Sequence, residues 1–277
     1  MESKVKISVR NVSRTFAGAH REKIEALHDI TFEVEDVYSD GRDVGEFSVL
    51  LGPSGCGKST ILRLVAGLDF PDQGQVLVNG QPVTGPGRDR GMVFQKYTSF
   101  PWLTVAENIA YGMKVNGVPE GERRETVNRL VQAVGLSGFE KAYPDTLSGG
   151  MQQRVAIART LALRPQVVLM DEPFGALDAQ TRSDMQQMVL DLWDEEKNTI
   201  IFVTHDISEA LLLGDRVVVF SSRPAKIIYD EGDLDSVFGH KRPPDVVRMP
   251  EFVKRHEQLR QLLKKPHTGN GQHDEVG

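Results

Sequence analysis

Gly52-Pro53-Ser54-Gly55-Cys56-Gly57-Lys58-Ser59-Thr60 carries the spacing G-x-x-x-x-G-K-[ST] of a phosphate-binding loop, the Walker A motif. Each residue type in it has a physical task. Gly52, Gly55 and Gly57 let the backbone take up conformations that a Cβ atom would block, so that successive N–H groups can turn into one anion-sized hollow. Lys58 would neutralise the β- and γ-phosphates of a nucleotide, and the Ser59 hydroxyl would ligate Mg²⁺. Pro53, Ser54, Cys56 and Thr60 complete the cradle. The flanks agree with this reading. Phe47–Leu51 reads as a buried strand, and residues 59–66 read as a helix whose N-terminus faces the phosphates.

Composition sets the outer bounds. A chain of 277 residues suits one large α/β domain or two small ones. With 39% hydrophobic and 26% charged residues, it has the make-up of an ordinary soluble globular protein. A formal net charge of −6 argues against nucleic acid as the main partner. The single cysteine, Cys56, lies inside the phosphate loop, so no intramolecular disulfide can form and a reducing compartment is expected. Residues 1–5 lack the apolar core of a signal peptide. No apolar run approaches the roughly 18 residues that a membrane span requires. If the protein works at a membrane, another chain must supply the span.

The rest of the chain alternates strand-like and helix-like segments. Residues 4–9 alternate polar and apolar and predict an edge strand; residues 30–34 predict a second, with Phe16 and a polar loop between them. Residues 35–45 read as an acidic extension of a hairpin with a solvated tip. Short strands are predicted over 75–78 and 91–94. Thr104 is expected to cap a helix reaching about 114, Glu120 another to about 134, and Ser148 a third over about 150–163. The stretch from about 97 to 160 should therefore be mostly helical and form a lobe of its own. Residues 167–170 predict a buried strand, and 181–196 an amphipathic helix with Met185, Met188, Val189, Leu192 and Trp193 on its core stripe. Strands over 199–203 and 216–220 flank a helix over 207–213, an order that predicts a mainly parallel sheet. A last helix over about 250–265, with Phe252, Leu259, Leu262 and Leu263 on one face, is expected to pack against the domain. Residues 267–277 are expected to be disordered.

Four further features turn a general phosphate loop into something specific. The strand ending Met170-Asp171-Glu172 can place Asp171 over Mg²⁺, directly or through water, and Glu172 against an attacking water. Leu147-Ser148-Gly149-Gly150-Met151-Gln152-Gln153-Arg154 sets a serine and two glycines at a helix N-terminus, which makes a second anion site. Phe94-Gln95 brings an uncharged amide to a strand end, where it can touch the metal or its water. Thr204-His205-Asp206 ends a buried strand with an imidazole able to reach a γ-phosphate.

In this order, over about residues 5–235, these features resemble the ATP-binding cassette ATPases. Residues 147–154 resemble the family's signature motif, with Met151 where the LSGGQ form has glutamine. Gly175-Ala176-Leu177-Asp178 is similar to the D-loop, Gln95 to the Q-loop and His205 to the switch histidine. Phe16 falls where the family places an adenine-stacking aromatic. The resemblance implies an α/β fold: a P-loop NTPase core with a mainly parallel sheet, an N-terminal antiparallel β subdomain and a helical lobe bearing the signature. It implies a cassette over 1–240 and a C-terminal extension over 241–277. Within the family, Tyr97 to Val105, Arg223-Pro224 and the tail resemble importers of nitrate, sulfonates, taurine and related solutes. Too few residues follow Phe220 for the β-rich regulatory domain of maltose-type cassettes.

The implied protein is an ATPase that binds ATP and Mg²⁺ and works as a homodimer on membrane permease subunits, served indirectly by a periplasmic or extracellular solute-binding protein. It would sit in the cytoplasm, peripheral on the inner face of the cell membrane. Glu172 would be the base, His205 would reach the γ-phosphate and Lys58 would hold the phosphates. Ser59, Gln95 and Asp171 would serve the metal or its water, and Ser148, Gly149, Gly150 and Asp178 would serve the partner's ATP. A soluble cassette ATPase acting on nucleic acid or translation is the alternative. Such proteins usually carry a second cassette, coiled-coil arms or basic insertions, and this sequence has none.

Overall fold

The computed structural model describes residues 3–18, 22–39, 42–96, 98–239, 242–243 and 245–264. An antiparallel sheet forms first, from β1 (Ser3–Ala17), β2 (Lys23–Ser39) and β3 (Arg42–Gly45), joined later by β5 (Gln73–Val78) and β6 (Gln81–Pro82). Its order is β3-β2-β1-β5-β6. A second sheet takes β4 (Phe47–Leu51), β7 (Arg90–Val93), β8 (Val167–Asp171), β9 (Thr199–Thr204), β10 (Arg216–Phe220) and β11 (Ile227–Glu231) in the order β11-β10-β4-β9-β8-β7. All its neighbouring pairs are parallel except β10 with β11.

The helices are α1 (Lys58–Ala66), α2 (Val105–Val115), α3 (Glu120–Ala133), α4 (Gly149–Leu161), α5 (Ala179–Glu196), α6 (Ile207–Leu213), α7 (Leu234–Phe238) and α8 (Pro250–Lys264). Successive side chains of a strand point to opposite faces, and the buried strands of the second sheet follow that rule. Phe47, Val49, Leu51, Val168, Met170, Ile200 and Phe202 join one apolar cluster with α2 to α6. Leu50, Val167, Leu169, Ile201 and Val203 join a second cluster with α1 and the antiparallel sheet. The parallel sheet is thus the middle layer, and near-continuous apolar strands such as β8 and β9 follow from burial on both faces.

Several expectations change at this level. The segment over 4–9 is not at an edge: β1 lies inside its sheet, with β2 on one side and β5 on the other. Alternation reports which faces are buried, and neighbours are chosen by pairing. The strand expected over 4–9 runs on to Ala17, so Phe16 lies on β1, opposite Ile24. The helix expected to be capped by Glu120 starts there, after Pro119. Residues 35–45 do extend a hairpin, with Asp36 opposite Gly45 and Ser39 opposite Arg42. Its base is buried, however: Asp36 pairs with Lys6 at 2.8 Å and accepts from the Thr199 hydroxyl at 2.5 Å. The tip residues, Tyr97 and the tail beyond 264 lie outside the described residues. Helices α2, α3 and α4 pack on one another, and their apolar faces run on into the cluster of the parallel sheet. In α8, Phe252 and Leu259 are buried in that same cluster, and Arg255 pairs with Glu231 on β11 at 3.1 Å.

Candidate nucleotide site

The carboxyl ends of parallel strands converge where an open α/β sheet binds its ligands, and the predicted residues gather there. The phosphate loop follows β4, whose neighbours are β9 and β10. Gly55 takes φ +73° and Gly57 φ +131°, both closed to a side chain at low cost. At Gly57 a Cβ would also lie 2.8 Å from the Ala26 carbonyl oxygen and 2.9 Å from Leu27 Cδ2. The loop is therefore pressed onto β2 at a point where only glycine fits.

Helix α1 begins without a side-chain cap, since its N-cap is Gly57, and its first turn holds no acidic residue. By contrast, α2, α4, α5 and α6 are capped by Thr104, Ser148, Asp178 and Asp206. The earliest bonds into α1 run from Thr60 and Ile61 to the Gly57 carbonyl, which leaves the amides of Lys58 and Ser59 ahead of the ladder. An uncapped helix start with glycine-shaped backbone is what a phosphate requires. Lys58 is buried, and its Nζ donates to the carbonyls of Gly52 (2.7 Å) and Pro53 (2.9 Å). Cys56 is also buried, and burial pushes its thiol pKa up.

Two carboxylates stand across from the loop. The Ser59 hydroxyl donates to Asp171 Oδ1 at 2.7 Å, and burial raises the Asp171 pKa. This hydroxyl–carboxylate pair suits Mg²⁺, a hard cation that takes one or two carboxylates plus substrate phosphates rather than an all-protein cage. Among the described residues no group of three or more His, Cys, Asp or Glu side chains could hold a metal alone.

Glu172 is the hub of the site. Lys58 Nζ lies 3.9 Å from its Oε1, while His205 Nδ1 at 3.2 Å and Gln95 Nε2 at 3.4 Å both meet its Oε2. Gln95 thus reaches Glu172 rather than the Ser59–Asp171 pair. A pocket of ≈ 240 Å³ runs along the loop, with Lys58, Ser59, Thr60 and Glu172 among its walls and Phe16, Ile24 and Ala26 on the β1–β2 side. Phe16 is partly exposed, and the Arg14 guanidinium lies 4.9 Å from its ring centroid.

The signature residues are elsewhere. Ser148 is exposed at the N-terminus of α4, where its Oγ accepts from the Met151 amide at 3.3 Å. Gly150 is required by close packing, since a Cβ there would lie 2.7 Å from Thr181 Cγ2 on α5. Asp178 caps α5 by accepting from the Gln180 and Thr181 amides, and hydrogen bonding from Thr181, its side chain first and its amide next, lowers the Asp178 pKa. Ser148, Gly149, Gly150 and Asp178 do not line the Lys58 pocket within one chain.

Two residues have structural roles that the sequence did not assign to them. Arg223, after β10, donates from Nη2 to the Gly55 carbonyl at 2.6 Å and lines the same pocket. Asn108 is fully buried on α2 and braces the turn before that helix: its Oδ1 accepts from the Phe100 amide at 2.8 Å, and its Nδ2 lies 2.9 Å from the Leu103 carbonyl. Asparagine inside a helix, where it disfavours that structure, was the available signal.

Comparison with known proteins agrees with this geometry. Residues 42–175 match the family model described as ABC transporter. The nitrate import ATP-binding protein of Synechocystis sp. is 45% identical over 267 residues, covering 95% of this chain and 96% of that protein. The taurine import ATP-binding protein of Roseobacter denitrificans is 42% identical over 267 residues, covering 93% of each. The dimeric, ADP- and phosphate-bound structure of the ATP-binding cassette MJ0796 aligns with a TM-score of 0.70 at 32% identity, covering 82% of this chain and 98% of that one. The chain belongs to the ABC transporter family, as one of its ATP-binding, ATP-hydrolysing subunits.

Proposed function

We propose that this chain is the ATPase subunit of an import system, in which two copies share two ATP molecules and drive membrane permease subunits. The observation that carries the ATPase reading is the convergence of Lys58, Gln95 and His205 on the Glu172 carboxylate, beside the Ser59–Asp171 pair. Lys58 holds the β- and γ-phosphates. Ser59 and Asp171 would hold Mg²⁺, which would neutralise charge at the transferring phosphoryl group, and Gln95, beside Glu172, would serve the water rather than the metal. Glu172 takes the proton of the attacking water, and His205 donates to the γ-phosphate side of the site. Phe16 stacks on adenine. Ser148, Gly149, Gly150 and Asp178 serve the ATP held by the partner copy.

The solute is a small anion or sulfonate of the nitrate and taurine kind, supported by relatives that align through nearly the whole chain. A solute-binding protein and the permease select it. No helix among the described residues is long and apolar enough to cross a membrane, so the span comes from the permease. The chain then sits on the cytoplasmic face of the membrane.

Glu172→Gln tests the chemistry. It keeps size and hydrogen bonding but cannot take a proton, so ATP binding should persist while turnover falls by about 10²-fold or more, the scale of a lost general base. Steady-state hydrolysis near the wild-type rate rules out that role.

A further inference from the structure

The loop between β10 and β11 ties three parts of the nucleotide pocket together. Its backbone is stitched to β2: the Ala225 amide donates to the Ala26 carbonyl at 3.0 Å, and the Ala225 carbonyl accepts from the His28 amide at 3.1 Å. Ser221 is buried and stiffens the loop, its Oγ accepting from the Lys226 amide at 3.0 Å. From this braced segment Arg223 reaches across to the phosphate loop, with Nη2 2.6 Å from the Gly55 carbonyl oxygen. Ala26, which anchors the loop, is the same residue against which Gly57 is pressed.

A guanidinium has five N–H donors, and Gly55 uses one. Among the described residues no carboxylate lies within ion-pair distance of Arg223. Arg223 lines the pocket together with Lys58, Ser59 and Thr60. We propose that Arg223 is a nucleotide-binding residue, its guanidinium fixing the phosphate loop through the Gly55 carbonyl and giving its other donors to the phosphate chain of ATP. The proposal rests on the reading of this pocket as the ATP site. It adds a second fixed cation to Lys58, supplied from the far end of the chain.

Equilibrium binding of ATP, measured by competition against a fluorescent ATP analogue, tests it with four variants. Arg223→Ala should weaken ATP binding about tenfold, the scale of one charge-assisted hydrogen bond. Arg223→Lys should recover most of the loss. Arg223→Gln keeps a donor for Gly55 but no charge, and should bind as weakly as Arg223→Ala, with both showing a shallower loss of affinity as salt is raised. Wild-type affinity in Arg223→Ala overturns the proposal. So does wild-type affinity in Arg223→Gln, which would reduce Arg223 to a tether, and so does Arg223→Lys binding no better than Arg223→Ala. Lys58→Ala separates the two levels. If it binds ATP normally, the underlying site reading fails; if it loses binding while the Arg223 variants do not, only the present proposal fails.

Discussion

Glu172 holds φ at +41°, in the left-handed region that costs a non-glycine residue about 1 kcal/mol or more. The turn is held because its amide donates to the Val203 carbonyl at 3.0 Å while its carboxylate meets Lys58, Gln95 and His205. Glycine would relieve the backbone and delete the proposed base, so the strain accompanies the chemistry proposed for this residue. Phe16 shows the same economy of position. Arg14 lies over its ring and is itself fixed by Asp69 at 2.8 Å and Asp72 at 2.6 Å. That leaves the ring braced beside the pocket. Stacking of a base on an aromatic ring is worth about 1–3 kcal/mol. Phe16→Ala should therefore weaken ATP binding by about tenfold or more, and Phe16→Tyr should restore it. Titration with a fluorescent nucleotide measures both, and unchanged affinity in the alanine variant assigns Phe16 to packing alone.

At the scale of elements, the segment before α2 is built to expose aromatic surface. Trp102 is 70% exposed, while Phe100 sits 4.6 Å from the Tyr111 ring and 5.2 Å from the Arg159 guanidinium. Arg159 is partly buried, which lowers its pKa, and it donates to the Thr98 carbonyl at 2.7 Å. Beside these groups runs a groove of ≈ 480 Å³ with Arg88, Met92 and Leu163 among its walls. A partly apolar groove of this kind suits a permease segment. Trp102→Ala should thus reduce co-purification with the cognate permease and leave ATP binding by the isolated subunit unchanged. Undiminished co-purification would return Trp102 to the surface. A second element-scale device joins β4, β10 and α7. Asp215 accepts from the Phe47 amide at 3.0 Å, and its carbonyl accepts from the Leu234 amide at 2.9 Å. Burial and the neighbouring Asp235 carboxylate push the Asp215 pKa up to about 8 from an ordinary 3.8. The folded state then holds a proton that the unfolded chain releases. Stability from this group is full below pH 3.8 and is lost as pH rises towards about 8. Asp215→Asn keeps the acceptor for Phe47 and removes the titration, so the fall in Tm between pH 5 and 8 should flatten. Parallel Tm–pH curves for the two proteins would show that Asp215 does not carry that dependence.

Across the whole molecule, what was legible in the sequence was what is local. The phosphate loop, the acidic strand end and the Ser148 cap each declare themselves within about one turn or strand, because glycine, charge and capping chemistry act at short range. The neighbours of β1 and the reach of Arg223, 168 residues from Gly55, depend on pairings that no local pattern encodes. The dimer is the largest such relation. Ser148 is exposed and spends its hydroxyl on its own helix, while the Lys58 pocket has no signature residue in its wall. Two copies related by a two-fold axis would satisfy both surfaces at once, the signature face of each meeting the phosphate loop of the other in one isologous interface. A disulfide requires Cα atoms within about 7 Å, which makes bridging a strict geometric probe. The native Cys56 is a poor reporter, because it is 2% exposed and burial raises its thiol pKa, leaving little reactive thiolate. Ser54 is exposed on the same loop and replaces it. In a Cys56→Ala background, Ser54→Cys with Ser148→Cys should give a reducible dimer band on oxidation, stronger with ATP in the Glu172→Gln form, which is expected to hold ATP with turnover much reduced. Each single-cysteine protein measures like-with-like bridging. A double-cysteine protein that stays monomeric with and without ATP, or that bridges only within one chain, would exclude the shared site.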